Sequence, residues 1–210
     1  MIEGPVICGI DEAGRGPLAG RVYAAAVILN IDKKLDFLND SKKLSTFERE
    51  QARKKIRQSA LAWGIGFASH KEIDEINILM ASLLAMKRAF NDMLTKNEKI
   101  KLLLPENKIN VIIDGKFTPS KLPADKSYEA LEINAPCEAI IKADTRIQEV
   151  MAASILAKTE RDDYMREMAL RYPQYGYEKH KGYPTKEHRE AVIKFGPSPI
   201  QRLSFKVKLI

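Results

Sequence analysis

An apolar segment near the start of the chain, Val6–Ile10, is followed at once by two adjacent carboxylates, Asp11 and Glu12. Asp and Glu are poor strand formers. Carboxylates at the end of a buried strand carry a desolvation cost unless a cation, most often a metal ion, compensates it. The turn Gly14-Arg15-Gly16 comes next, and such a turn lets backbone N–H groups and an arginine approach a phosphate or sugar. This segment predicts a buried strand that ends at a site for metal-dependent chemistry on a phosphate ester.

Two further apolar segments end in an acid: Asn110–Ile113 precedes Asp114, and Cys137–Ala143 precedes Asp144. Sites in open α/β sheets collect where strands end, so neighbouring ends would bring four carboxylates into one small volume. Two carboxylates about 5 Å apart repel by roughly 3 kcal/mol at an effective dielectric near 20. Such a cluster needs cations, and all-oxygen ligation favours Mg²⁺ or Mn²⁺. Two such ions can activate a water and stabilise the leaving oxygen of a phosphodiester.

Two of these acids also have simpler local explanations. Asp114 precedes a glycine and, taken alone, is typical of a turn residue. Asp144 precedes Thr145-Arg146 and a predicted long helix, so capping of that helix explains it locally as well as ligation does. The coincidence of three segments favours a site, but the spacing alone does not fix the reaction.

The remaining patterns predict a mixed α/β fold. Val6–Asp11 and Arg21–Leu29 are predicted strands joined by a glycine-containing turn, which favours an antiparallel pair, and Leu61–Ala68 is a third strand. With the two strands that precede Asp114 and Asp144, they form a mixed five-stranded sheet with helices on its faces. The predicted helices are Phe47–Ala60 with Ser45 or Thr46 as N-cap, Lys71–Asn77, Ile78–Leu94, about Ile147–Arg171 and about Thr185–Phe195. We predict that Pro173–Pro184 is irregular and that Pro197 and Pro199 end the compact part before a basic tail.

Composition narrows the possible classes of protein. The net charge of +7 and the pI near 9.3 fit a nucleic-acid-binding surface, although charge alone explains solubility equally well. Cys8 and Cys137 are the only cysteines, which excludes a disulfide framework and a cysteine zinc site. The sequence has neither a basic segment followed by a long apolar stretch at its start nor an apolar run approaching about 18 residues. We therefore expect a soluble, cytoplasmic protein.

The segment Gly9–Gly20, GIDEAGRGPLAG, closely resembles the signature of ribonuclease HII, the bacterial type 2 ribonuclease H. Further resemblances span most of the chain: Asp40–Leu44, Ile113–Gly115, Lys142–Asp144, Ala153–Lys158 and Lys179–Tyr183. The resemblance implies an RNase H-like fold with an added C-terminal helical region. Residues 1–210 would form one catalytic domain, of which about 172–210 are the C-terminal extension. Gln201–Phe205 only partly matches a family pattern, and the sequence has no apparent motif for docking on a sliding clamp.

The same resemblance implies an activity and a site. The activity is endonucleolytic cleavage of RNA in RNA–DNA hybrids and incision 5′ of a single ribonucleotide in duplex DNA, leaving 3′-hydroxyl and 5′-phosphate ends. The cofactor is Mg²⁺ or Mn²⁺, with two ions when substrate is bound, and we expect a monomer. The implied catalytic and metal-binding residues are Asp11, Glu12, Asp114 and Asp144. The implied substrate-binding residues are Gly14, Arg15, Gly16, Lys42, Lys43, Ser154, Lys158 and Tyr183.

Other interpretations remain open from the residues alone. Lys42 and Lys43 also fit a solvated basic turn, and Tyr183 fits an anchor that buries its loop. We expect His180 to be a hydrogen-bonding residue rather than a metal ligand, and Cys8 to be a small core residue. Two other classes of protein compete with the ribonuclease: another two-metal nuclease or strand-transfer enzyme of related fold, and a non-enzymatic basic nucleic-acid-binding module whose acids are structural.

Overall fold

The computed structural model describes residues 4–30, 32–33, 35–38, 44–118 and 132–206. Its strands are β1 (Val6–Ala13), β2 (Val22–Ile28), β3 (Ala62–Ala68), β4 (Ile109–Asp114) and β5 (Cys137–Ile140). Its helices are α1 (Thr46–Ser59), α2 (His70–Lys96), α3 (Glu98–Lys101), α4 (Gln148–Arg171), α5 (Tyr177–His180) and α6 (Lys186–Phe195). Within these residues, no helix is both long and apolar enough to cross a membrane.

The five strands form one mixed sheet in the order β3-β2-β1-β4-β5. The first three are antiparallel neighbours, whereas β4 runs parallel to both β1 and β5. This arrangement confirms the predicted mixed sheet. Ile10 lies opposite Ile113 in the parallel pair, so the next residues, Asp11 and Asp114, come out side by side. The register of β1 and β4 is thus what brings two of the predicted acids together.

Helices cover both faces of the sheet, because alternate side chains of a strand point to opposite faces. Ala24 and Ala26 of β2 belong to the same buried cluster as α2, whereas Ala25 and Val27 pack with α1 and α4. Glycines allow the closest contact on each face: a Cβ at Gly64 or Gly66 would collide with the α2 backbone, and one at Gly9 would collide with the start of α4. The sheet thereby fixes where α4 lies relative to the end of β1.

The predicted helix boundaries hold in most places. Ser45 caps α1 with a reciprocal bond to Glu48, and Thr185 caps α6. The predicted division after Asn77 is present as a kink inside α2, where Asn77 has φ 68° and ψ 167°. Its side-chain oxygen accepts from the N–H groups of Leu79 and Met80, so Asn77 caps the second half of the helix.

Two predictions about the C-terminal half were wrong. The segment Pro173–Pro184, predicted to be irregular, contains a 3₁₀ turn and the short helix α5. The chain beyond Pro197 is not a free tail, since Arg202 is fully buried. Its guanidinium donates hydrogen bonds to the carbonyls of five residues in or beside the first turn: Gly14, Arg15, Pro17, Gly20 and Arg21.

Candidate active site

Three carboxylates meet beside the last residues of β1 and β4. One oxygen each from Asp11, Asp114 and Asp144 lies within 4.8 Å of the others. Asp11 is buried and the other two are partly buried. The acids therefore lie together as predicted, and Asp114 is the last residue of β4. The prediction that the first strand ends at Asp11 was wrong, because pairing with β2 continues β1 through Glu12 to Ala13.

Asp144 reaches the cluster by a different route from the predicted one. The prediction that a strand continues to Ala143 was wrong, because β5 ends at Ile140 and Lys142 then adopts a left-handed conformation with φ 59°. This turn takes the chain out of the sheet and places Asp144 in a 3₁₀ turn, Ala143–Thr145. The N-cap residue of α4 is Ile147. Asp144 lies three residues before it, so Asp144 does not occupy the N-cap position that the capping alternative assigned to it.

The carboxylate of Asp11 lies in an environment that resists its ionisation. Burial raises the pKa of Asp11 well above its usual value, and the carboxylates of Glu12 and Asp114 raise it further. A hydrogen bond with Ser154 and one from the Glu12 N–H, 2.7 Å from Oδ1, act in the opposite direction. A cation bound between the carboxylates would relieve both the burial and the repulsion.

Glu12 lies beside the three-carboxylate group and contacts Arg15. An Arg15 guanidinium nitrogen is 3.3 Å from Glu12 Oε1. Burial raises the pKa of Glu12, and Arg15 partly offsets that effect. Glu12 is therefore paired with a side chain of the turn that follows it.

A cleft of about 260 Å³ opens next to the carboxylates. Six of the predicted site residues line it: Glu12, Gly14, Asp144, Ser154, Lys158 and Tyr183. Lys158 forms an ion pair with Asp162 one turn further along α4. The turn after β1, the start of α4 and the loop after α5 thus converge on one surface. Lys42 and Lys43 lie outside the described residues.

Tyr183 faces the Gly14-Arg15-Gly16 turn across this cleft. A Cβ built at Gly16 would lie 3.6 Å from Cε1 of Tyr183, and 42% of Tyr183 is exposed. The Arg161 guanidinium carbon is 5.6 Å from the centre of the Tyr183 ring. Gly14 has φ 105°, and a side chain there would collide with Arg161. Glycine at position 14 is required both by the backbone conformation and by this contact.

Sequence reasoning missed three arginines around the site. Arg49 and Arg161 line the cleft, and Arg161 donates to the Lys181 carbonyl at 2.9 Å while being almost fully buried. Arg202 stabilises the turn between β1 and β2 through its hydrogen bonds to five carbonyls. The partial match of Gln201–Phe205 was the one signal that pointed to Arg202.

Comparison with known proteins identifies the family. The ribonuclease HII family model matches residues 8–208 of this chain. A ribonuclease HII of Treponema denticola is 50% identical over 97% of this chain and 99% of its own length. One from Parabacteroides distasonis is 45% identical over 98% and 92% of the two chains. The chain belongs to the ribonuclease HII family.

The protein is therefore an endoribonuclease of RNA–DNA hybrids that depends on a divalent metal ion. Membership of the ribonuclease HII family sets aside both competing classes: another two-metal nuclease or strand-transfer enzyme of related fold, and a non-enzymatic basic nucleic-acid-binding module.

Solved structures agree on the fold, which is RNase H-like. The ribonuclease H2 of Pyrococcus horikoshii OT3 superposes with a TM-score of 0.70 at 24% identity, covering 96% of this chain and 94% of that one. The ribonuclease HII in a complex with PCNA from Archaeoglobus fulgidus gives 0.67 at 27% identity, covering 98% and 97%. A Bst-RNase HIII in complex with Mn²⁺ gives 0.65 at 18% identity, covering 96% of this chain and 67% of that one.

Proposed function

We propose that Asp11, Asp114 and Asp144 hold the divalent cation of this ribonuclease, with Glu12 as a fourth ligand and a second ion when substrate is bound. The donor set supports this proposal, because three carboxylates within 4.8 Å of one another offer the hard oxygen ligands that Mg²⁺ and Mn²⁺ prefer. When bound, such ions lower the pKa of water and stabilise the leaving oxygen of a phosphodiester. The raised pKa of Asp11 supports it as well.

The side chains around the cleft would bind and orient the duplex. Lys158 and Ser154 line the same cleft as Asp144, where an ammonium and a hydroxyl can contact phosphate oxygens. Lys42 and Lys43 would extend this contact. Such contacts position a duplex without reading its sequence.

The turn Gly14-Arg15-Gly16 and Tyr183 would recognise the step from ribonucleotide to deoxyribonucleotide. A protein distinguishes RNA from DNA at one position mainly through the 2′-hydroxyl. Gly16, which is exposed, leaves backbone groups accessible to that hydroxyl, and Gly14 lets the turn line the cleft. The exposed ring of Tyr183 across the cleft could pack on the deoxyribose that follows. We therefore propose incision 5′ of a single ribonucleotide in duplex DNA, within one catalytic domain whose residues from about 172 form an extension.

A panel of three duplexes tests this function: all-DNA, RNA–DNA hybrid and DNA with one embedded ribonucleotide. We expect Mg²⁺- or Mn²⁺-dependent cleavage of the last two, with 3′-hydroxyl and 5′-phosphate ends and the single cut on the 5′ side of the ribonucleotide. Cleavage of the all-DNA duplex at a comparable rate, or no cut at the single ribonucleotide, would contradict the proposal.

The variant Tyr183→Ala separates recognition from anchoring. If the ring reads the junction, kcat/KM on the single-ribonucleotide duplex falls most and the melting temperature changes little. If the ring anchors its loop, the melting temperature and the activity on every substrate fall together. Both quantities should be measured on the same preparation.

A further inference from the structure

The backbone of Tyr183 is held by two buried histidines. Its N–H donates to the carbonyl of His180 at 2.9 Å. Its carbonyl, which also accepts from the Thr185 N–H, lies 3.0 Å from Nδ1 of His188. His180 is 8% exposed and His188 is fully buried. The partly exposed ring of Tyr183 therefore projects from a backbone whose two sides are tied to the interior.

The hydrogen bonds define which nitrogen of each ring carries the proton. Nδ1 of His180 accepts from the Gly182 N–H at 3.2 Å, so its Nε2 carries the proton and donates to the Tyr175 carbonyl at 2.9 Å. The carbonyl of Tyr183 can only accept, so Nδ1 of His188 carries the proton. Nε2 of His188 is buried and makes no hydrogen bond within the described residues. The two rings are therefore neutral and of opposite tautomer.

The rings support each other by stacking. Their centres are 4.6 Å apart with an interplanar angle of 14°, and Tyr177 presents its ring at a steep angle to both. Burial lowers the pKa of both histidines, and His180 lowers that of His188 further. The charges of Glu178 and Glu187 act to raise the pKa of His180, and that of Lys181 acts to lower it.

The same loop is also bound to the turn opposite Tyr183. The carbonyl of Gly182 accepts from the Leu18 N–H at 2.8 Å. Gly182 has φ 81°, and a Cβ there would lie 2.8 Å from the Ala19 carbonyl oxygen. The histidines on one side and the turn on the other thus leave the Tyr183 backbone little freedom. These contacts fix the point from which its ring projects towards Gly16.

We propose that His188, oriented by its stack on His180, is a positioning residue that sets the Tyr183 ring for the ribonucleotide–deoxyribonucleotide step. This proposal rests on the proposed role of Tyr183. If the aromatic cluster had only a structural role, loss of the Nδ1–H donor would change stability alone. Under the proposal, the same loss also changes substrate selectivity.

Two substitutions at His188 separate the donor from the ring. His188→Asn keeps an N–H donor close to the position of Nδ1, whereas His188→Phe keeps the stacked ring and removes the donor. His70→Asn is the matched control, because His70 is the third histidine of the chain and lies at the start of α2. The measured quantity is the ratio of kcat/KM on the single-ribonucleotide duplex to that on the RNA–DNA hybrid.

We expect His188→Phe to lower this ratio about tenfold, the effect of losing one buried hydrogen bond, and His188→Asn and His70→Asn to leave it unchanged. In a Tyr183→Ala background, His188→Phe should not lower the ratio further. An equal loss on both substrates, or a loss that persists in the Tyr183→Ala background, would overturn the proposal.

Nuclear magnetic resonance of the imidazole nitrogens tests the geometry without any substitution. Near neutral pH, the wild-type protein should show His188 as the Nδ1–H tautomer and His180 as the Nε2–H tautomer. A charged His188, or its Nε2–H tautomer, would overturn the proposal even if His188→Phe does not fold. This result is independent of cleavage, so failure of the proposed function appears separately, as no cut of the single-ribonucleotide duplex by the wild-type enzyme.

Discussion

At the scale of single residues, the site is defined by the charge that surrounds Asp11. Burial and two neighbouring carboxylates raise its pKa. Charges within 4.8 Å of one another repel by roughly 3 kcal/mol or more at an effective dielectric near 20. Without metal, the ionised carboxylate of Asp11 therefore opposes folding. A bound cation would make the ionised form favourable in the folded protein.

The variant Asp11→Asn should consequently be at least as stable as the wild type without metal. The raised pKa means that the native state holds its proton more tightly than the unfolded chain does. The contribution of Asp11 to the free energy of unfolding therefore falls as pH rises above about 3.8, the unperturbed value. The unfolding free energy of Asp11→Asn should therefore exceed that of the wild type by an amount that grows over the same pH range. This difference should shrink when Mg²⁺ is added to both proteins. Urea unfolding with EDTA or Mg²⁺ measures this, and a variant less stable at neutral pH in EDTA would contradict it.

The acids were predictable from the sequence because each follows an apolar segment or a short turn after one. The arginines were not, because their roles depend on contacts with distant backbone. Arg202 binds carbonyls more than 180 positions away, and no local pattern encodes such a contact. The role of His188 was not predictable either. Its hydrogen-bond partner Tyr183 is near in sequence, but the stacking of His188 on His180 depends on the turn between α5 and α6.

At the scale of secondary structure, the position of α4 determines the cleft. This helix carries Ser154, Lys158 and Arg161, and its first residues pack against Gly9 of β1. The absence of a side chain at Gly9 lets the helix backbone approach the sheet. This contact thereby fixes the position of the cleft residues on α4 relative to the carboxylate cluster beside β1.

Gly9→Ala should destabilise the protein by about 1–3 kcal/mol, the usual cost of overpacking a core, and lower hybrid cleavage because α4 must shift. Gly4→Ala is the control, since a Cβ there meets nothing within 4 Å. Denaturant unfolding and cleavage rate measured on both variants test the claim. Equal stability of the two variants would show that α4 does not depend on Gly9.

Strands and helices were largely predictable, because hydrophobic periodicity and caps are local signals. The exceptions are places where a local conformation interrupts an apolar run. Lys142, with its left-handed backbone, ends β5 before the apolar segment does. The short helix α5 lies between left-handed Gly176 and Lys181, and a helix of four residues is too short to give a periodic pattern.

At the scale of the whole molecule, the net charge of +7 affects the binding of nucleic acid rather than the fold. Phosphate contacts release counterions, so affinity for any duplex should fall steeply with salt. Lys158→Ala should lower the slope of log affinity against log salt by about 0.9, the value for one lost phosphate contact. Lys99→Ala, an exposed lysine on α3, should leave the slope unchanged. Fluorescence anisotropy with a labelled hybrid in Ca²⁺ provides the measurement, and equal slopes for both variants would remove Lys158 from the phosphate contacts.

The central claim is that the cluster of Asp11, Asp114 and Asp144 holds the metal on which cleavage depends. Its most direct test is the rate of RNA–DNA hybrid cleavage as a function of Mg²⁺ concentration for three proteins: the wild type, Asp114→Asn and Asp36→Asn, whose aspartate is exposed. We predict no cleavage without a divalent ion, saturable activation of the wild type and Asp36→Asn, and a rate at least about a hundredfold lower for Asp114→Asn at every Mg²⁺ concentration. Cleavage by the wild type in EDTA, or near-normal activation of Asp114→Asn, would contradict it.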